Sequence, residues 1–146
     1  MNCYNSIKIQ IPVNQVIELM NNPDYYKEWQ RGLLSTELIK GKSGQVGAKR
    51  RIYIKIAGRK VKMIETILNF DPPHKWEARY TTQGLTSLQK NLFTPIDEHN
   101  TLWECYSEFK FSGSMIIISK VMPQVFKERA RLTQVDFKKF AENFHQ

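Results

Sequence analysis

From Ile118 to Phe144, apolar residues recur at spacings of three and four: Ile118, Met122, Phe126, Ala130, Thr133, Phe137, Phe140 and Phe144. A single stripe of this kind predicts one amphipathic helix running to about Asn143. Ser112-Gly113-Ser114 would open it and Pro123 would kink it. No other segment of the chain offers so large an apolar surface. The residues upstream read as short alternating segments separated by turns, each able to bury one face. A sheet with one apolar face has to cover it, and this helix is the available partner. A twisted sheet curling around the helix is the economical solution, and such a curl leaves room for an internal cavity.

The upstream segments are legible one by one. Ile7, Ile9 and Ile11 alternate in a strand over residues 4–11 that Pro12 ends. Asn14 is placed to cap a short helix through Met20. Asn22-Pro23-Asp24 is a second start signal, for a helix through Trp29 that stops before Gly32. Strands are expected at 33–39, 48–57, 60–70, 75–82, 85–96 and 101–111. Asp71-Pro72-Pro73-His74 is a firm break between two of them. Gly58-Arg59 fits a two-residue hairpin turn. That register sets Ile56 opposite Val61, Ile54 opposite Met63 and Ile52 opposite Glu65, with Lys55 opposite Lys62 on the other face. The sum is an α+β chain: a curved antiparallel sheet of about seven strands, two short helices after the first strand, and a long C-terminal helix. No repeat or linker interrupts residues 1–146, which predicts a single domain.

Composition narrows the function classes. The formal net charge is +8, and residues 40–62 hold nine of the 22 basic residues without one acid. The remainder of the chain is close to neutral, so an electrostatic function would have to reside in that hairpin. Lys49, Arg51, Lys55, Lys60 and Lys62 form its candidate basic surface, suited to an acidic protein or an anionic membrane surface. A solvated strand face that discourages edge aggregation explains the same charges. Only Tyr53 interleaves with them for base stacking, which argues against nucleic acid. The longest apolar run is four residues, Met115–Ile118, too short to span a bilayer. With no signal-like N-terminal region and only two cysteines, a cytoplasmic protein is expected, as monomer or homodimer.

Several landmarks occur in an ordered series: IQIPVNQVIELMNNPDYYKEW, GQVGAKRRIYIK, ETILNFDPPHKWEARY and NTLWECYSEFKFSG. In this order they resemble the START-like, Bet v 1-like (SRPBCC) superfamily, in its polyketide cyclase/dehydrase-like branch, over about residues 5–143. Asn100 stands where glycine is usual in the last landmark. The resemblance implies a helix-grip fold and a cavity for a hydrophobic or amphipathic small molecule, lipid-like, polyketide-like or aromatic. It carries no catalytic motif, so no catalytic residue is transferred.

The candidate chemistry is accordingly sparse. His74, His99 and His145 are isolated from one another and from both cysteines, so neither a metal nor another cofactor is expected. In the expected register Glu65 faces inward with Ile54, Met63 and Ile67. A buried carboxylate has to be paired, hydrogen-bonded or neutralised. Glu65 would orient a polar ligand end or act as acid/base in a cyclase/dehydratase-type reaction. Alternatively a bulge turns it outward, or a nearby Arg or Lys pairs with it. Trp76, Tyr80, Phe93, Trp103, Cys105, Phe111, Met115 and Met122 are candidate cavity-lining residues that would serve equally as core, and Trp29 reads as structural packing. The leading expectation is binding of a hydrophobic small molecule. Catalysis by Glu65 and docking of an acidic partner on residues 40–62 are the alternatives.

Overall fold

The computed structural model describes residues 1–117 and 123–144. Strand β1 (Asn2–Ile9) is followed by helix α1 (Val13–Met20), a 3-10 turn (Pro23–Tyr25) and the short helix α2 (Tyr26–Trp29). Then come β2 (Leu33–Lys40), β3 (Lys49–Ile56), β4 (Arg59–Asp71), β5 (Lys75–Thr82), β6 (Leu85–Asp97) and β7 (Asn100–Phe111). Helix α3 (Pro123–Glu142) closes the chain. The seven strands form one sheet in the order β1-β7-β6-β5-β4-β3-β2, antiparallel throughout. β2 to β7 are a meander. The segment carrying α1 and α2 links the two opposite edges of the sheet, so both helices lie across its width. This is the helix-grip architecture. The expected kink at Pro123 and the stripe positions Ile118 and Met122 fall at or outside the limits of the described residues.

Local signals account for the elements, with three corrections. Asn22 Oδ1 accepts from the Asp24 backbone N–H at 3.0 Å, and Pro23 occupies the first position of the turn, as its fixed φ favours. Helix α1 is capped by Pro12 instead of Asn14, which lies inside the helix, and no side chain makes the cap hydrogen bond. The β3–β4 turn is Ala57-Gly58, not Gly58-Arg59. Both residues have positive φ, 51° and 81°, the conformation that matches the twist of the flanking strands. The pairing therefore slips by two residues from the expected one. Because the side-chain period is two, every residue keeps its face. The partners change: Ile54 lies opposite Val61, Lys55 opposite Lys60, and Glu65 opposite Arg50 instead of Ile52.

The third correction concerns α3. Thr133 is exposed, and its hydroxyl donates back to the Arg129 carbonyl at 3.0 Å. Gln134 is buried in its place. The Gln134 amide donates to the carbonyls of Asn5 and Trp103, both at 3.3 Å. Four residues on, Lys138 Nζ donates to the Lys8 carbonyl at 2.7 Å, and after four more Glu142 accepts from the Gln10 backbone N–H at 2.7 Å. This polar row follows the edge strand β1, while Phe137 on the same helix enters the core with no exposed surface. The Phe137 ring meets Trp29 of α2 at 5.0 Å and Trp103 of β7 at 5.6 Å, both edge-on.

Phe137→Ala should therefore destabilise the protein by about 3–5 kcal/mol, measured by denaturant unfolding, because both tryptophans lose their common partner. Ala57→Asn should stabilise it by about 1 kcal/mol in the same assay, since asparagine tolerates positive φ better than alanine.

Candidate functional site

The aromatic cluster fills one end of the grip. Phe93 stacks on Trp103 at 5.9 Å, and the Trp103 indole N–H donates to Asn91 Oδ1 at 3.0 Å. Cys105 belongs to the same core, and burial pushes its thiol up to about 11. Phe93, Trp103 and Cys105 thus pack as core.

A different arrangement lies under α1 and α2. The registers of β3, β4, β5 and β6 place Arg50, Glu65, Tyr80 and Ser87 side by side in one transverse row. Neighbouring strands lie about 4.8 Å apart, so this is a continuous polar band across an otherwise apolar face. The Tyr80 hydroxyl donates to Glu65 Oε2 at 2.8 Å. Burial raises the Glu65 carboxyl above its ordinary 4.5, against the opposing effects of the Tyr80 hydrogen bond and of Arg50. The Tyr80 hydroxyl is held well above 10 by burial and by Glu65, and burial pushes Tyr26 up to about 12. Arg50 lies 5.5 Å from the centre of the Tyr26 ring and donates to Ser43 Oγ at 3.0 Å.

Arg50, Glu65 and Tyr80 line a cavity of about 50 Å³, enough for a few water-sized groups. Trp76 of β5, Trp29 and Tyr26 of α2, Asn21 at the end of α1, and Gln30, Ser43 and Lys49 add to the polar lining. The indole N–H groups of Trp29 and Trp76 and the Asn21 amide are buried, and none has an acceptor among the described residues. A buried donor left without an acceptor costs about 1–3 kcal/mol.

A second space lies between α3 and the β3–β4 hairpin. This cleft of about 470 Å³ exposes a mostly apolar surface, with Ile56, Ala57, Val125 and Leu132 as its apolar walls and Gln124, Glu128 and Thr133 also lining it. Arg31 and Asp136 stand at it as a bidentate pair, 2.9 and 3.0 Å, and Arg129 donates to the Arg31 carbonyl at 3.0 Å.

Of the residues singled out from sequence, Glu65, Trp76 and Tyr80 line the cavity. Ile54 is buried and Met63 half-buried on the same face of the sheet. Phe111 packs edge-on against Phe126 at 5.3 Å, and Met115 follows the turn after β7. Met122 lies outside the described residues. Lys49 is half-buried beside the cavity. Arg51 is ion-paired with Glu37 across β2 and β3. Lys60 lies over the Tyr53 ring at 4.7 Å, and Lys55 and Lys62 are exposed. Arg50 is one of the nine basic residues of 40–62 and belongs neither to the candidate cavity residues nor to the candidate basic surface read from sequence. Its signal was present: Arg50, Ile52 and Ile54 continue one period-two series, and both isoleucines are buried. Asn21 and Tyr26 carried no such signal, because the α1–α2 segment brings them to the sheet over a long sequence separation.

The family model described as polyketide cyclase/dehydrase and lipid transport matches residues 2–143. No curated protein matches the sequence. Among solved structures, the Zhui aromatase/cyclase from a Streptomyces species superposes with a TM-score of 0.85 at 12% identity, covering 97% of this chain and 93% of that one. A conserved protein from Geobacillus kaustophilus gives 0.81 at 18% identity, with 100% and 98% covered. Ginseng major latex-like protein 151, from Panax ginseng, gives 0.76 at 11% identity, with 97% of each covered. At such identities the likeness establishes the shared fold.

Glu65→Gln provides a pH test of the cavity. In the unfolded chain the carboxyl returns to its ordinary value. Between that value and the raised one, the folded state holds a proton that the unfolded state has released, so stability falls as pH rises through that window. The glutamine variant still accepts from Tyr80 but does not titrate. Its Tm should decline less than that of the wild type as pH rises from 4.5. Equal slopes would place the linkage on another group.

Proposed function

The chain belongs to the polyketide cyclase/dehydrase and lipid transport family, and from that premise we propose that it binds an amphipathic or hydrophobic small molecule between the sheet and α3. The observation that carries this reading is the cleft of about 470 Å³, which lies within the roughly 300–1,000 Å³ range of small-molecule sites. The cavity at Glu65, about 50 Å³, is too small for a whole ligand and suits one polar end. One face of β3 connects the two spaces. Arg50 lines the cavity, Ile52 and Ile54 follow on the same face, and Ile56 lines the cleft. That track is about 20 Å long at ~3.3 Å per residue and becomes apolar after its first residue.

Leu132→Trp should fill the cleft. Ligands found by thermal-shift screening or native mass spectrometry should bind about tenfold or more weakly to this variant, with Tm changed by only a few degrees. Undiminished binding would remove the cleft from the reading.

The Tyr80–Glu65 hydrogen bond supports a second reading, in which the pair exchanges protons with a bound substrate as a cyclase or dehydratase would. The Zhui neighbour is an aromatase/cyclase by name. Glu65 would be the acid/base group, with Tyr80 positioning it. Under this reading Glu65→Gln should lose about 100-fold or more in turnover while keeping ligand affinity. Equal turnover in both proteins would leave binding as the sole role.

A further inference from the structure

Arginine is seldom buried without an acid to neutralise it. Arg50 is 8% exposed and forms no ion pair among the described residues. Its cross-strand neighbour Glu65 is engaged by Tyr80 instead. The one hydrogen bond of the Arg50 side chain among the described residues goes to Ser43, leaving most of a five-donor guanidinium uncommitted. Trp29 and Trp76, 7% and 8% exposed, and the Asn21 amide add three buried N–H donors without an acceptor, all on the same small cavity. The cavity has a surplus of donors, a buried guanidinium without an ion-pair contact among the described residues, Lys49 at its lining and little volume.

We propose that this cavity receives a carboxylate, the anionic end of the amphipathic ligand. The inference rests on the ligand-binding reading above and specifies its chemistry. The guanidinium fork matches the two oxygens of a carboxylate, and the indole and amide N–H groups supply the remaining contacts. A phosphate monoester fits less well, because its third terminal oxygen and second charge would have to share about 50 Å³ with the Glu65 carboxyl. The apolar tail of the ligand would leave along Ile52 and Ile54 towards the cleft.

Calorimetric titration with decanoate and decan-1-ol, which share one chain length, separates the head group from the tail. The wild type should bind decanoate about 30-fold more tightly than the alcohol. Arg50→Met should reduce decanoate to the level of the alcohol and leave the alcohol unchanged. Trp76→Phe removes one donor at nearly constant volume and keeps the test open if Arg50→Met does not fold. It should weaken decanoate several-fold and spare the alcohol. Equal affinity of the wild type for both compounds would overturn the carboxylate assignment while leaving the ligand-binding reading intact. So would a decanoate preference that survives in both variants. Inorganic phosphate that displaces decanoate better than propionate does would also overturn it. If neither ten-carbon compound binds, the amphipathic-ligand reading fails, and propionate alone then decides. A rise in Tm with propionate that Arg50→Met abolishes sustains the carboxylate site, and no rise overturns it.

Discussion

The Phe137 ring sets the position of the long helix, and through it the distribution of space inside the protein. Its edges and face are taken by Trp29 on one side and Trp103 on the other, so it joins α3 to both α2 and the sheet. Helix α3 consequently lies along β1, α1 and α2, where Gln134, Lys138 and Glu142 meet the backbone at the sheet edge. Close packing of aromatic rings fills that end. Met20 and Asn21 at the end of α1 and Tyr26 and Trp29 of α2 close over Arg50, Glu65, Trp76 and Tyr80, and the first turns of α3 face the β3–β4 hairpin across a cleft. A helix held at one end cannot pack equally tightly along its whole length against a curved sheet, and the two spaces follow from that mismatch.

Register determines the chemistry of the smaller space. A two-residue slip at the hairpin turn leaves every side chain on its own face, so the apolar pattern tolerates either pairing. The slip nevertheless decides whether Glu65 stands beside an isoleucine or beside Arg50. The positive φ values at Ala57 and Gly58 select the latter. The resulting row, Arg50–Glu65–Tyr80–Ser87, concentrates polar groups where water is largely excluded. There, hydrogen bonding and burial compete, and burial prevails in setting the Glu65 proton affinity.

The basic character of residues 40–62 divides in the same way. Arg51 is matched by Glu37, and Lys60 rests on Tyr53, so part of that charge is used within the sheet's outer face. Arg50 belongs to the other face and to the interior. A charge count along the chain treats the adjacent arginines alike, although the strand sends them to opposite environments.

The sequence by itself determined the order of elements, the faces of the strands and the family. Each rests on a short-range regularity: alternation around Trp76, Ala78 and Tyr80, the capping at Asn22-Pro23, the three-and-four spacing through Phe137. Glu65, Trp76 and Tyr80 were legible as inward residues for the same reason. Only the tertiary structure decided that Gln134 replaces Thr133 against the sheet, that Arg50 meets Glu65, and that Asn21 and Trp29 close over them. It also decided that Phe93, Trp103 and Cys105 fill one end while space remains at the other. These outcomes depend on turn dihedrals and on packing between residues far apart in the chain, where many pairings satisfy the same local pattern and only one fills the volume.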